Sequence, residues 1–394
     1  MARLWDKGVD ADDLVLQFTV GDEPALDARL VKHDVRASKA HARTLARGAY
    51  LTIPETHQIC KALDSIGRSF AKGNWAISVD EEDAHTALEN RLVEKLGKLG
   101  GKVHLGRSRN DQVLVALRLY LVEACAVAQT QSDQVRQSLS QLAARYPDAP
   151  LPGYTHMQRA MPSTVAHWAG GFEAELGHSQ GLIDAAEKLA RLSPLGSAAG
   201  YGTPGLTLDR TFTAKLLGMK VHEPVTAPQL SRGKAEAALA FALVTLLNDL
   251  GRLARELCLY NSSEFGFVKL PDEMTTGSSV MPQKRNPDVL ELVRGHSAQA
   301  TSDLTAILAV TSKMTSGYHR DLQLIKPPLF RLIDRFEACF KVMARAVGGV
   351  VFNAEVCNSA VTPEMFSAEK AFALVQSEGI SFREAYRRVA KELI

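Results

Sequence analysis

The residues best suited to chemistry lie between positions 276 and 288, in the stretch TGSSVMPQKRNPD. Two hydroxyls, Ser278 and Ser279, are followed by the cation Lys284, and no apolar periodicity places them in a core. The run that begins at Asn286 is typical of a helix start, with asparagine at the N-cap and proline in the first turn. Because cations and helix N-termini attract anions, the stretch predicts a loop that binds a carboxylate or a phosphate. The alternative is a basic surface loop without a function.

A second polar run precedes a long apolar-periodic stretch. Ser108, Arg109, Asn110 and Asp111 stand just before a predicted helix that runs to residue 145. Guanidinium groups grip carboxylates through paired hydrogen bonds, and an asparagine amide adds further contacts. The run therefore predicts a second anion site. The alternative is that Asn110 or Asp111 only caps the helix within a solvated basic turn.

A histidine follows in a proline-rich loop. Thr155 and His156 lie between Gly153 and a further proline, and Ser163 is predicted to cap the next helix. A lone histidine is more often structural than functional. Its polar neighbours and its place on a loop framed by glycine and proline favour a binding or catalytic role.

The segment from 316 to 326 brings polar side chains into an otherwise apolar helical region. Tyr318, Gln323 and Lys326 either line a pocket for a zwitterionic ligand or belong to a solvated turn. The small-residue loop from 194 to 202 is a tight turn or a wall for a ligand. A phosphate-cradling role is not favoured there, because the sequence shows no strand before the loop.

Proline placement indicates the elements that must position these residues. Four long windows lack proline, at 55–146, 229–270, 288–326 and 329–362, and all are rich in helix formers. In the second window leucines recur at alternating intervals of four and three, which is typical of helices packed lengthwise. The apolar positions of the last three windows are Leu239, Leu243, Leu246, Leu250, Leu253 and Leu257; Val289, Leu292, Val293, Leu304, Ile307 and Leu308; and Leu329, Leu332, Ile333, Phe336, Phe340 and Met343.

The sequence therefore predicts an all-α protein. Runs of alternating β-branched residues, which would indicate strands, are nearly missing. The long helical windows predict a central helical bundle flanked by two smaller helical domains. The predicted domains are 1–106, a central oligomer core at 107–351, and 352–394, which carries helices from 363 to 378 and from 382 onward.

Composition narrows the function classes. Of 394 residues, 46% are hydrophobic and 23% charged, and the net charge of +2 gives no field that would favour nucleic acid or a membrane. The five cysteines are scattered, so neither a metal site nor a disulfide framework is expected. No apolar run approaches the roughly 20 residues of a membrane span, and the N-terminus lacks the apolar region of a signal peptide. We expect a cytoplasmic protein whose partner is a small-molecule substrate.

A resemblance to known families adds to these patterns. The order Gly-Ser-Ser-x-Met-Pro-x-Lys-x-Asn at 277–286 resembles the shared loop of the fumarase/aspartase superfamily, whose members eliminate fumarate from a substituted succinate. The chain as a whole resembles the argininosuccinate lyase family within it. The segments that carry this resemblance, in order and spacing, are Leu4-Trp5, 40–43, 106–113, 153–160, 194–197, 261–271, 277–294 and 318–326.

The resemblance implies a homotetramer with active sites shared between subunits, without metal or organic cofactor, that cleaves argininosuccinate to arginine and fumarate. It implies that Ser278 is the base, that Lys284 stabilises charge, and that His156 pairs with Glu291. The residues that it implies bind substrate are Ser108, Arg109, Asn110, Thr155, Ser279, Asn286, Tyr318, Gln323, Lys326, Asp27 and His85, the last beside Glu89. The alternatives are another fumarate-releasing lyase, such as adenylosuccinate lyase, and a non-catalytic structural relative.

The chain departs from the family pattern in three places. Leu324-Ile325 stands where an acidic pair is usual, and His319 where asparagine is common. Thr19-Val20-Gly21, with two extra residues, replaces a serine-rich substrate contact, which leaves Asp27 matched. The family usually continues for several more helices, so a short or truncated C-terminus is expected.

Overall fold

A computed structural model describes residues 12–393, and Leu4-Trp5 lies outside this range. Its helices, apart from short 3-10 turns, are α1 (Asp13–Val20), α2 (Glu23–Asp27), α3 (Val31–Arg47), α4 (Ile53–Ala71), α5 (Ala84–Leu96), α6 (Lys98–Gly101), α7 (Arg109–Arg145), α8 (Val165–Ala190), α9 (Arg210–Leu216), α10 (Ala227–Leu230), α11 (Lys234–Tyr260), α12 (Asp288–Thr311), α13 (Lys326–Gly349), α14 (Ala354–Ser359), α15 (Ser367–Glu378) and α16 (Phe382–Glu392). The prediction of an all-α protein is confirmed.

Strands are short and occur in pairs. They are β1 (Pro150–Thr155), β2 (Gln158–Thr164), β3 (Leu192–Ser193), β4 (Lys220–Val221), β5 (Val268–Lys269) and β6 (Val351–Phe352). β1 pairs with β2 and β5 with β6, both antiparallel, and β3 pairs with β4 in parallel. The β1–β2 hairpin is absent from the sequence prediction because its three prolines indicate a loop rather than strands.

The chain divides into two units that are discontinuous in sequence. The first comprises residues up to Ala128, Leu182–Leu243 and Thr301–Asp334. The second comprises Gln129–Gly181, Val244–Ala300 and Arg335–Ile394. The long helices α7, α8, α11, α12 and α13 contribute residues to both. The division predicted from the sequence, at 106/107 and 351/352, stays a prediction.

The first unit has a core between its N-terminal helices. α3, α4 and α5 bury a continuous apolar cluster that includes Leu45, Leu63 and Leu88. Thr52 caps α4 in a reciprocal arrangement with Glu55, and the proline after it lies in the first turn, so this helix begins where its sequence specifies. These helices supply the scaffold for the polar residues between α5 and α7.

The long helices bury most of the predicted apolar positions. All six leucines named in α11 and all six residues named in α13 are buried. In α12 the pattern holds only in part, because Leu292 is 64% and Leu308 49% exposed, whereas Leu290 and Ala300 are buried in addition to Val293 and Ile307. The apolar face predicted on α12 is therefore wider than the face that is buried within a single chain.

Two helices, α7 and α11, are long and apolar enough by length and composition to cross a membrane. The expectation that no apolar run reaches that length is wrong for these two. More than half of each apolar window is buried inside the protein. Core helices of water-soluble proteins pass the same test, so the two helices are weak evidence for a membrane.

Candidate active site

The loop at 277–285 is closed at its base by a pair of backbone hydrogen bonds. The Asn286 N–H donates to the Thr276 carbonyl at 2.8 Å, and the Thr276 N–H donates to the Asn286 carbonyl at 3.1 Å. The Asn286 side-chain amide adds a bond to the Gly277 carbonyl at 3.2 Å. Asn286 therefore fastens the loop and is not the N-cap that the sequence predicts.

Ser278 lies at the start of this loop and is half-buried. Its Oγ accepts hydrogen bonds from the backbone N–H groups of Val280 at 3.2 Å and Met281 at 3.1 Å. Two donors aimed at one hydroxyl oxygen stabilise negative charge on it. Ser279 and Lys284 are exposed on the same loop, and the Lys284 backbone N–H donates to the Met281 carbonyl. The loop thus holds a hydroxyl that accepts two N–H groups and, elsewhere along the same loop, an exposed cation.

α12 begins directly after the loop. The Pro287 carbonyl accepts the first helical hydrogen bond, from Glu291, and the Asp288 carboxylate accepts one from the Thr276 hydroxyl. The Glu291 side chain is exposed, with one oxygen 3.7 Å from the Arg294 guanidinium. The helix start is therefore one residue later than predicted, and Glu291 faces out of its first turn.

His156 lies at the tip of the β1–β2 hairpin. Its φ of 53° and the φ of 60° at Met157 form a two-residue turn in the left-handed region, and both side chains are exposed. Thr155, just before the turn, is exposed as well. The cap of α8 is Thr164, whose hydroxyl accepts from the His167 N–H, rather than Ser163 as predicted.

The hairpin and the loop at 277–285 both belong to the second unit. Between residues 12 and 393 of a single chain, His156 and Glu291 form no hydrogen bond with each other. Their pairing, which the resemblance implies, stays a prediction for the assembled protein.

In the first unit, Ser108 starts α7. Its Oγ accepts from the Asn110 N–H at 3.2 Å, while its own N–H donates to the Asp111 carboxylate at 3.0 Å. This reciprocal arrangement is a capping box, so the cap is Ser108 and not Asn110 or Asp111. The Asn110 side chain is left half-buried at the N-terminus of the helix, where its amide suits an anion.

Asp111 connects this turn to the small-residue loop at 194–202. Its other carboxylate oxygen accepts from the N–H groups of Gly196 and Ala198, each at 2.9 Å. Burial raises the pKa of Asp111 to about 6, an effect that these backbone donors oppose. Contrary to the expectation, a strand, β3, precedes the loop. Two of the loop's backbone N–H groups, however, already donate to the Asp111 carboxylate.

Arg109 is held by two acidic neighbours. Its guanidinium donates to Asp83 at 2.7 Å and to Glu82 at 2.9 Å, and Glu82 also accepts from Arg320 at 3.1 Å. A substrate carboxylate would have to exchange with these internal ones. The sequence prediction missed both acids because they belong to the run Asp80-Glu81-Glu82-Asp83, which is typical of a solvated turn.

Lys326 is buried between two carboxylates. Its Nζ lies 2.5 Å from Glu23 Oε2 and 2.6 Å from Asp27 Oδ1. Asp27 Oδ2 accepts a further bond from the Ala84 N–H at 3.2 Å. Asp27 and Lys326, predicted separately as substrate contacts, are thus brought together, and Glu23 joins them as a residue that the sequence did not indicate.

Tyr318 and Gln323 complete a narrow cleft in the first unit. The cleft also contains Glu23, Arg109 and Lys326 in its wall, and its volume is about 30 Å³. The Arg232 guanidinium stacks 4.6 Å from the Tyr318 ring centre and donates to the Asn110 carbonyl. Gln323 donates to the Thr19 carbonyl at 3.4 Å. The cleft therefore gathers Arg109, Tyr318, Gln323 and Lys326 of the predicted set, but it must widen to admit a substrate.

His85 is buried deep in the first unit. Neither ring nitrogen has a hydrogen-bond partner among the described residues, and burial lowers the pKa of His85 to about 4. Glu89 bonds to His104 Nδ1 at 3.0 Å and makes no hydrogen bond to His85, so a functional pair of His85 with Glu89 stays a prediction. The three side chains present ligand atoms within 4.8 Å of one another and are the group that could hold a metal ion in the described chain.

Comparisons with known proteins agree with this fold and with the predicted family. A family model described as "Lyase" matches residues 6–302. An argininosuccinate lyase of Sorangium cellulosum is 42% identical over 99% of this chain and 90% of the relative. One from Thermotoga neapolitana is 39% identical over 99% of this chain and 98% of the relative.

Solved structures give the same result for the fold. A structure of EDDS lyase in complex with formate matches with a TM-score of 0.81 at 25% identity, over 97% of this chain and 76% of that one. A class II fumarase from Schistosoma mansoni matches with a TM-score of 0.79 at 18% identity, over 95% of this chain and 87% of that one. The second likeness concerns the fold alone, which is that of the fumarase/aspartase superfamily. The chain belongs to the argininosuccinate lyase family.

Proposed function

We propose that this protein cleaves argininosuccinate to arginine and fumarate, a carbon–nitrogen elimination that serves arginine biosynthesis. The full-length match to relatives that carry this activity in their names supports the substrate. The structural observation that supports the chemistry most directly is the setting of Ser278, whose Oγ accepts two backbone N–H groups on a loop closed at its base.

The reaction removes a proton from the succinyl carbon beside one carboxylate. The electrons of that C–H bond form the double bond of fumarate as the bond from the neighbouring carbon to the guanidino nitrogen breaks. Negative charge collects on the carboxylate next to the carbanion before the nitrogen leaves. Groups that are already oriented toward that charge lower the barrier, because they need not reorganise during the reaction.

Ser278 is the base in this proposal. A free serine hydroxyl is a weak base, so its alkoxide needs stabilisation. The N–H groups of Val280 and Met281 supply two donors, and Lys284 on the same loop supplies positive charge when the loop closes over substrate. Lys284 and Asn286 then face the carboxylate on which charge develops, and Ser279 adds a hydroxyl.

The departing nitrogen needs a proton. His156, at the exposed tip of its hairpin, delivers that proton directly or through water, and Glu291 orients the imidazole. An exposed histidine on a turn suits this task because its ring is accessible to a substrate that other residues bind. Thr155 beside it binds a carboxylate of the succinyl half.

The remaining contacts come from other segments of the sequence. Ser108, Arg109 and Asn110 bind the succinyl carboxylates at the N-terminus of α7. Tyr318, Gln323 and Lys326, with Asp27, hold the arginine half, and His85 stands near the site. No metal or organic cofactor takes part.

The protein acts as a cytoplasmic homotetramer with three domains per chain and active sites shared between subunits. The exposed leucines 292 and 308 on α12 support association, since a partner helix would remove them from water. A shared site also accounts for an exposed His156 and an exposed Glu291 in one chain.

The direct test is to incubate purified protein with argininosuccinate and follow fumarate by its ultraviolet absorbance. We expect turnover, with arginine formed in equal amount, and no activity on adenylosuccinate. A folded tetramer that releases no fumarate at any protein concentration would reject the proposal. Size-exclusion chromatography with light scattering on the same sample tests the tetramer.

A further inference from the structure

Three side chains of the kind that bind metal ions converge in the first unit. His85 and Glu89 are four residues apart on α5, so they lie on the same face of that helix. His104 is the last residue of the 3-10 turn Lys102–His104, shortly before α7. One nitrogen or carboxylate oxygen of each residue lies within 4.8 Å of those of the other two. The three side chains can therefore contact a single small ion.

His85 is the member of this group that indicates a ligand. Its residue surface is 1% exposed, and neither Nδ1 nor Nε2 has a hydrogen-bond partner within residues 12–393. A buried polar group without a partner is destabilising and therefore uncommon in folded proteins. The ring is buried too deeply for a molecule of substrate size to contact it, whereas a metal ion is small enough to do so.

Both kinds of ligand are in the protonation state that a metal requires. Burial lowers the pKa of His85 to about 4, so its ring is neutral near pH 7 and offers a lone pair. Burial also favours the protonated form of Glu89, but the hydrogen bond with His104 and the nearby positive charges outweigh it, and the pKa of Glu89 is lowered overall. A neutral imidazole and an ionised carboxylate therefore face the same space.

We propose that His85, Glu89 and His104 bind one divalent transition-metal ion, with a water molecule as the fourth ligand. Two imidazoles and one carboxylate with an open position form a donor set that suits Zn²⁺ and Co²⁺. Glu89 Oε2 and His104 Nδ1 lie 3.0 Å apart, close to the separation of about 3.3 Å between neighbouring ligands of a tetrahedral zinc ion. The ion replaces the hydrogen bond between these two atoms, and the His104 ring keeps its one proton on Nε2.

Arg107 is the cation that opposes an ion at this position, since its charge acts on both His85 and Glu89. Three carboxylates offset that charge, and Asp34 acts on Arg107 most strongly. The carboxylate of Glu89 supplies negative charge directly at the ion. The side chain of His104 is 42% exposed and gives the ion a path from solvent.

The ion has a structural role in this proposal and takes no part in the elimination. It connects α5 to the turn that leads into α7, where Ser108 caps the helix. Fixing that turn stabilises the helix N-terminus on which Ser108, Arg109 and Asn110 lie. The inference thus goes beyond the proposed function and does not depend on it.

The experiment titrates Co²⁺ into full-length protein without a histidine tag, after treatment with a chelator. Calorimetry gives the stoichiometry, and the visible absorption of Co²⁺ reports its coordination. We expect one ion per chain in a four-coordinate site. Binding should weaken at least about 100-fold in His104→Gln and in Glu89→Gln, since loss of only an outer partner of a metal ligand costs about 10–100-fold. Zn²⁺ should displace Co²⁺ and raise the melting temperature of the wild type but not of His104→Gln.

His178→Gln is the matched control, because His178 is an exposed histidine that bonds to a glutamate, Glu175, at 3.3 Å. It should bind Co²⁺ as the wild type does. Wild-type protein that binds no Co²⁺ overturns the inference without any variant, so a variant that fails to fold cannot hide the answer. An unchanged affinity in His104→Gln also overturns it. Absence of fumarate release by the wild type would reject the proposed function and leave this inference standing.

Discussion

Thr276 and Asn286 exchange both of their backbone hydrogen bonds and so close the base of a nine-residue loop that carries Ser278 and Lys284. The exchange fixes the two ends of the loop while its tip stays exposed. Such an arrangement allows the tip to close over a ligand as a hinged segment without disturbing α12, whose first turn begins directly after it.

The first prediction concerns this closure. Asn286→Ala removes the side-chain bonds to the Gly277 carbonyl and the Thr276 hydroxyl but keeps the backbone pair. We expect kcat for fumarate release to fall about tenfold or more, with faster hydrogen exchange in 277–285 and little change in thermal stability, because the bonds lie at the surface. Asn261→Ala, at the end of α11, is the control. Unchanged exchange in the loop would contradict the assignment of Asn286 as its fastener.

The second prediction concerns the base. Ser278→Ala removes the oxygen that accepts the N–H groups of Val280 and Met281, and kcat should fall at least about 100-fold, as for loss of a general base. Substrate binding measured by calorimetry should persist, because Ser278 itself is not one of the proposed carboxylate contacts. Ser312→Ala, an exposed serine at the end of α12, should have no effect on either quantity. Turnover that survives in Ser278→Ala would show that another group removes the proton.

Particular residues show which parts of this structure the sequence could predict. The leucine pattern of α11 predicts a buried helix because spacing alone determines which face is apolar. The caps predicted for α7 and α8 lie one to three residues from the observed ones, because serine, threonine, asparagine and aspartate have similar propensities and only geometry decides among them. The sequence does not predict the β1–β2 hairpin, because the prolines in its two strands indicate a loop.

The residues of the candidate site also fall into two groups, those that the sequence indicates and those that it does not. Ser278, His156 and Arg109 could be named because each stands in an unusual local sequence that matches a family pattern. Glu23, Glu82 and Asp83 could not, because their roles come from contacts with residues far along the chain, such as Lys326 and Arg109. An acidic side chain in a charged turn carries no signal for such a partner. The sequence does not reveal these contacts because the acids and their partners lie far apart along the chain.

The third prediction concerns His156. Asparagine tolerates the left-handed region that φ of 53° requires, so His156→Asn should keep the hairpin while it removes the imidazole. We expect kcat/KM to fall by orders of magnitude with an unchanged melting temperature. Met157→Gly, the other left-handed residue of the turn, is the control and should retain full activity. A decrease in kcat/KM of less than tenfold, about 1.4 kcal/mol, would show that His156 does not take part in catalysis.

The fourth prediction concerns acid stability. Burial lowers the pKa of His41 from 6.5 to about 3, and the pKa values of His33 and His85 fall to about 4 for the same reason. Such histidines are neutral when the protein is folded and take up protons when it unfolds. The unfolded state therefore binds more protons below pH 6.5, and the free energy of unfolding decreases as the pH falls from 6.5 toward these lower values. Two buried acids, Asp34 and Asp111, have pKa values raised to about 6 by burial and act in the opposite direction over similar pH.

A comparison of His41→Gln with the wild type isolates one of these groups, because the acids are present in both. Glutamine can keep the bond that His41 Nε2 makes to the Leu105 carbonyl at 2.9 Å, yet it cannot titrate. Between pH 6 and pH 4.5 the free energy of unfolding should fall less steeply in the variant, by about 1.4 kcal/mol per pH unit, the value for one proton. Urea unfolding at fixed protein concentration measures the two slopes, with His178→Gln as an exposed control that should match the wild type. Equal slopes for His41→Gln and the wild type would mean that His41 titrates alike in the folded and unfolded states, against its complete burial between α3 and the turn before α7.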